Sequence, residues 1–145
     1  MNAPTPTGPL DLVRWIGWAQ MRAGEDWIRA RELSHPQSFV LGYLVQNPGA
    51  MQREIAQVSR TSAASVSSLL QGLERRGLVE RRTADGDERS KRVYATLAGA
   101  ELIAGFDTAM AAANETILAP LDAQERNTLL TLLTKITAEL PQPTR

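Results

Sequence analysis

Residues 62–77 read SAASVSSLLQGLERRG, and this stretch constrains the fold more than any other. Val66, Leu69, Leu70 and Leu73 recur at the spacing of one helix face. Ser62 stands where an N-cap belongs, and Gly77 stands where a helix stops. The segment therefore reads as a helix running to Arg76 with one buried stripe. Opposite that stripe lie Ala64, Ser65, Ser67, Ser68, Gln71 and Arg75, all small or hydrogen-bonding. No carboxylate occurs between Ser62 and Leu73. A polar linker is the competing reading of so serine-rich a run. The helical spacing of the leucines, with cap and stop at the correct ends, opposes it.

The flanking sequence extends this helix into a larger unit. A short helix is predicted from Met51 to Val58, with Ile55 and Val58 facing inward, although neither Ala50 nor Met51 offers a capping oxygen. The turn Ser59-Arg60-Thr61 joins the two helices. Beyond Gly77 the period changes to that of strands. Val79–Thr83 and Arg92–Thr96 are short strand-like segments around the polar loop 84–89, which predicts a β-hairpin with an extended tip. Upstream, Leu10–Arg31 reads as a helix with the stripe Leu12, Ile16, Ala19, Ala23, Trp27 and Ala30. Ser34 and Pro36 then open a second helix whose stripe is Phe39, Val40, Tyr43 and Leu44, ended by Asn47-Pro48-Gly49. Downstream, Gly99–Leu118 reads as one helix with Leu102, Phe106, Ala109, Met110, Ala113 and Ile117 on one side. A last helix runs from the capping box Asp122–Glu125 through Leu129, Leu132, Leu133, Ile136 and Leu140 to Pro141.

Composition excludes several kinds of chemistry. The chain has no cysteine and one histidine, His35, which leaves no thiol nucleophile, thiol sensor, cysteine-based zinc site or multi-histidine metal site. No clustered carboxylates, Ser/His/Asp arrangement or phosphate-cradling glycine loop appears, so an enzyme is not expected, nor is a cofactor. The opening MNAPTPTGP lacks the cationic start and apolar run of a secretory signal, and the expected location is cytoplasmic. Formal net charge is +0, but residues 52–92 carry nine basic and six acidic side chains, whereas residues 96–145 carry three and six.

Two short helices joined by a tight turn form a helix-turn-helix, whose second helix fits a major groove about 12 Å wide. Serine and glutamine hydroxyls and amides bond base edges or phosphate oxygens, and a capped helix N-terminus favours a phosphate. The candidate DNA-binding residues are Arg53, Arg60, Ser62, Ser65, Ser67, Ser68, Gln71 and Arg75. The hairpin adds Arg89 and Lys91, a basic finger suited to a minor groove.

Leu33-Ser34-His35-Pro36-Gln37 with Val40-Leu41-Gly42-Tyr43-Leu44, then Glu54-Ile55-Ala56, Ala64-Ser65-Val66-Ser67 and Leu73-Glu74-Arg75-Arg76-Gly77-Leu78-Val79-Glu80-Arg81, followed by Asp87-Glu88-Arg89 and Thr96-Leu97-Ala98-Gly99, together resemble the MarR family of bacterial transcription regulators. The resemblance covers roughly residues 10–140. It implies a mainly α fold: a winged helix-turn-helix with a small β-hairpin wing, and a helical dimerisation region built from the N- and C-terminal helices. Residues 1–9 would be a flexible lead-in, 34–97 the DNA-binding region, 10–33 and 98–140 the dimerisation helices, and 141–145 a frayed tail. The resemblance further implies a homodimer reading a pseudopalindromic operator, with Arg89 in the minor groove braced by Asp87. Met51 stands where the family usually has a capping threonine, and Ala95, Leu97 and Ala98 depart from its wing exit.

Members of the family often bind small aromatic or phenolic molecules, which implies a repressor relieved by such an effector. Trp15, Trp18, Trp27, His35, Phe39 and Tyr43 are the candidate lining residues; as an alternative, the tryptophans are simply core. The alternative function is a ligand-binding or protein-interaction dimer of the same fold that has lost DNA binding.

Overall fold

The computed structural model describes residues 5–83 and 91–143. Among the described residues, seven helices and three strands occur in the order α1 (Pro9–Arg29), α2 (His35–Gln46), β1 (Ala50–Met51), α3 (Gln52–Ser59), α4 (Ala63–Arg75), β2 (Val79–Thr83), β3 (Lys91–Ala95), α5 (Leu97–Ile103), α6 (Phe106–Leu118) and α7 (Ala123–Thr137). The architecture is a winged helix-turn-helix flanked by long terminal helices. No helix among the described residues is long and apolar enough to cross a membrane.

Local chemistry explains most boundaries. Ser34 opens α2 with a capping box: its Oγ accepts from the Gln37 N–H at 3.2 Å, and Gln37 Oε1 accepts from the Ser34 N–H at 2.9 Å. Asp122 and Glu125 do the same for α7 at 2.8 and 3.0 Å. At α3 the cap residue is Met51, which has no oxygen. Glu54 supplies the return half alone, its Oε2 accepting from the Met51 N–H at 3.2 Å. The helix starts there because the chain before it is held as a strand. Ala50 pairs with Val93 and Met51 with Arg92, giving an antiparallel sheet of order β1-β3-β2. A two-residue strand has no period to read, so β1 escaped sequence analysis. The hairpin strands pair from Val79 opposite Ala95 to Thr83 opposite Lys91. The predicted loop 84–89 lies outside the described residues.

Three helices end in the same way. Each last turn closes with paired backbone bonds, from the residue after the left-handed position to the carbonyl five back and from that position to the carbonyl three back. At α4, Leu78 bonds Leu73 at 3.0 Å and Gly77, at φ 71, bonds Glu74 at 2.9 Å. At α1, Leu33 bonds Ile28 at 3.2 Å and Glu32 bonds Arg29 at 2.9 Å; at α3, Thr61 bonds Ala56 at 3.1 Å and Arg60 bonds Gln57 at 3.2 Å. Glu32 and Arg60 hold φ of 55 and 53 without being glycine, so each carries about 1–2 kcal/mol of backbone strain.

The core joins α2, α3, α4 and the sheet. Leu41, Leu44, Ile55, Leu70, Leu73, Val40, Val66 and Val93 are its fully buried side chains. Gly99 closes it from the α5 side, because a Cβ there would lie 2.0 Å from the Leu78 carbonyl oxygen. Thr96 sets that approach: its Oγ1 donates to the Gly77 carbonyl at 2.6 Å and accepts from the Gly99 N–H at 3.1 Å.

Several expectations need correction. The predicted helix Gly99–Leu118 is two helices, because Ala104 is extended and Gly105 sits at φ 86. The apolar stripe continues in phase across the break, Leu102 to Phe106, and hid it. Phe39 and Val58 point away from the core, at 45% and 42% exposed, while Leu41 takes the inward place on α2. On α1 the burial reaches only Gly24 and Ile28, so Leu12 and Ile16 of the predicted stripe are exposed. Helix α7 ends at Thr137, short of Leu140, and neither α6 nor α7 contains a buried residue.

Candidate nucleic-acid interface

Helix α4 presents the outward face the sequence predicts. Ser62 Oγ accepts from the Ser65 N–H at 3.1 Å and donates to Ser65 Oγ at 2.9 Å. That bond satisfies one of the orphan amides of the first turn, and the remaining ones point along the axis into solvent. Ala64, Ser68, Gln71 and Arg75 follow one another at four, three and four residues and are all exposed, as is Ser65 beside them. Ser67 is half-buried at the edge of this face rather than on its crest.

Cations flank the face. Arg53 lies exposed in the first turn of α3, Arg60 in the turn before α4, and Arg75 in the last turn of α4, its Nε 3.4 Å from the Gln71 carbonyl. Among the described residues none of the three has a carboxylate within 4.0 Å. The described acids nearby are engaged elsewhere. Glu74 is held by Arg81 at 2.7 Å, Glu80 pairs with Arg82, and Glu54 caps α3. These pairs also engage Arg81 and Arg82, so the cations left open beside α4 among the described residues are Arg53, Arg60 and Arg75. Lys91 begins β3, half-buried. Asp87 and Arg89 lie outside the described residues, so their predicted places are not seen.

Two grooves adjoin this head. The larger, about 620 Å³, runs between α2 and the α5–α6 junction, where Ile28, His35, Phe39, Tyr43, Ile103 and Phe106 border it. The smaller, about 450 Å³, lies between the start of α2 and the α3–α4 turn; His35 and Phe39 border it too. The structure thus brings three of the predicted ligand residues together. Trp15 and Trp18 border neither groove; they lie on exposed α1, at 57% and 50%. Trp27 packs edge-on against Phe106 with ring centres 5.2 Å apart, beneath the Arg31 guanidinium at 3.4 Å.

Sequence reasoning missed the left-handed Arg60, which turns the chain sharply into α4; nothing in its residue type signals that conformation. It also missed Arg76, whose partners lie 44 and 45 residues away.

Comparison with known proteins agrees with this geometry. Residues 32–90 match the sequence model of the MarR family. The chain is similar to the transcriptional regulator HosA of Escherichia coli, 27% identical over 105 residues, which are 72% of this chain and 78% of that protein. Its fold is similar to that of MepR, a transcription regulator of the Staphylococcus aureus multidrug efflux pump MepA. The TM-score is 0.80 at 26% identity, covering 93% of this chain and 100% of that one. A MepR–DNA complex superposes with a TM-score of 0.75 at 27% identity, over 90% and 98% of the two chains. The helix-turn-helix, the paired strands beside it and these likenesses converge: residues 32–90 carry the sequence pattern of the MarR family, and the chain has the fold of these transcription regulators.

Proposed function

We propose that the protein is a homodimeric repressor that reads a pseudopalindromic DNA operator and is released by a small aromatic ligand. The observation that carries the reading is the exposed, carboxylate-free face of α4, beside which Arg53, Arg60 and Arg75 have no acidic partner among the described residues. In this reading Ser65, Ser68 and Gln71 meet base edges, Ser62 and the amides of the first turn meet a phosphate, and the three arginines and Lys91 meet backbone. Ser67 serves at the margin, and Asp87 and Arg89 form the wing tip. Residues 34–97 are the DNA-binding region. Residues 10–33 and 98–140 form the dimerisation region, between the lead-in 1–9 and the tail 141–145. Similarity to MepR, which has been solved with DNA, supports this assignment.

Dimerisation is supported by surface area. The chain exposes 10,872 Å². A compact monomer of this mass exposes about 7,400 Å². Obligate interfaces remove roughly 1,000–2,500 Å² from each partner, enough to account for much of that excess. The ligand would occupy the groove bordered by His35, Phe39 and Tyr43, acting by its different affinity for two spacings of the reading heads. Trp15 and Trp18 stand apart from this groove.

Selection from random DNA tests the reading. The expected product is a pseudopalindrome with half-sites about one turn, roughly 34 Å, apart. Its affinity should fall steeply as salt rises. A protein that enriches no sequence, and shifts no DNA from beside its own gene at low salt, is not a DNA-reading regulator.

A further inference from the structure

The last turn of α4 sends three adjacent side chains to three destinations. Glu74 turns to the wing, where its carboxylate holds the Arg81 guanidinium at 2.7 and 3.2 Å. Arg75 stays exposed on the reading face. Arg76 turns the other way and donates from Nη1 to the Glu32 carbonyl at 2.7 Å and from Nη2 to the Arg31 carbonyl at 3.2 Å. Those two carbonyls belong to the left-handed closure of α1, beyond the reach of intrahelical donors. Arg76 is itself the closing residue of α4. One guanidinium therefore pins the end of the reading helix to the end of the long N-terminal helix.

We propose that Arg76 is a positioning residue for DNA reading: it sets the angle between the head and the terminal helices, and through it the half-site spacing the dimer accepts. The inference rests on the proposed function above. Ile28 and Leu33 also join this junction through the core. Apolar contact is non-directional, however, and resists separation more than rotation. A planar guanidinium with two donors in a fixed fork resists both. The junction continues outward, because Arg31 donates to the Trp27 carbonyl at 3.1 Å and lies over the Trp27 ring, which abuts Phe106 of α6. Among the described residues, the Arg76 bonds are the side-chain hydrogen bonds that tie α4 to the end of α1.

The experiment uses the full-length dimer and its selected operator, remade with the half-sites one base pair closer and one farther. One base pair moves a half-site by about 3.4 Å and about a tenth of a turn. The wild type should lose about tenfold or more in affinity on either misspaced site, since it must strain or release one head. Arg76→Ala should bind the three spacings within about threefold of one another, with an unchanged salt slope. Arg76→Lys keeps the charge but not the fork, and should resemble Arg76→Ala; it decides the matter if Arg76→Ala does not fold. A wild-type spacing profile in both variants overturns the proposal. So does an equal loss on all spacings with the salt slope reduced by about one, which marks a direct phosphate contact.

A second readout needs no DNA. The chain has no cysteine, so Gln57→Cys on exposed α3 takes one spin label per subunit. The distance across the dimer should be narrow in the wild type and broadened by several ångströms in Arg76→Ala; equal widths overturn the proposal. A wild-type dimer that shifts no DNA sinks the proposed function, while the label distances still decide the role of Arg76.

Discussion

The reading head and the terminal helices are built from similar residues and end in opposite conditions. In the head, Leu41, Leu44, Ile55, Leu70 and Leu73 have no measurable exposure. In the terminal helices, Leu12, Trp15, Ile16, Leu130, Leu132 and Ile136 are 43–64% exposed, although they too are large and apolar. The cause is geometric. The head folds three helices onto a sheet, so each stripe meets another within one chain. Helix α7 is tied to α6 by the Arg126–Glu115 pair at 2.7 Å and half-buries only Leu129 and Leu133 on its leucine-rich side. Large apolar side chains exposed in this number on the terminal helices are suited to association. The head closes its core within one chain, whereas the terminal helices leave their apolar sides uncovered.

This contrast has measurable consequences. The largest is expected in the head. Leu70→Ala should cost about 2–5 kcal/mol, read by denaturant unfolding, because the cavity is enclosed on every side. Next comes the shared surface: Trp15→Glu combined with Leu132→Glu should weaken dimerisation about a hundredfold, seen by sedimentation. The two variants differ in kind. The Leu70→Ala melt should still shift with protein concentration, and the doubly charged variant's melt should not. If the doubly charged variant stays dimeric, the exposed helices are not the interface. A smaller effect follows at the cap, where Ser62→Ala should cost about 1 kcal/mol. Because that hydroxyl also faces outward, DNA affinity should fall further than stability alone explains, checked by titration at fixed salt. The smallest change should be a gain. Glu32→Gly relieves left-handed strain at α1 but adds freedom to the unfolded chain, for a net stabilisation of about 0.5 kcal/mol by thermal melting.

The head was the more legible half, and for the same reason. Its helices carry their own boundaries: an oxygen at Ser34 and at Ser62, a glycine at Gly77, and a change of period at Val79. Periodicity shows which side of a helix is apolar but not whether anything covers it. It therefore placed Leu12, Ile16, Phe39 and Val58 on stripes without revealing their exposure. Breaks that keep the stripe in phase are equally silent, as at Ala104-Gly105. Left-handed Glu32 and Arg60 lack the residue type that announces such a turn, and β1 is too short to have a pattern. At the candidate interface the outward serines, Gln71 and Arg75 were legible because they need only local structure. The Arg76 link was not, since it depends on two helix ends meeting in space. His35, Phe39 and Tyr43 lie within one helix turn or two of each other in sequence and so border one groove, whereas Trp15 and Trp18, on a separate helix, stand apart from it.

Gly99 bears on how motion travels through the molecule. With no room for even a methyl group between it and the Leu78 carbonyl, α5 is riveted to the root of the wing. Thr96 fastens the same joint by hydrogen bonds on either side. The left-handed break at Gly105 follows six residues later. Up to that break in the helix, the wing and the helix behind it must follow the head as one piece.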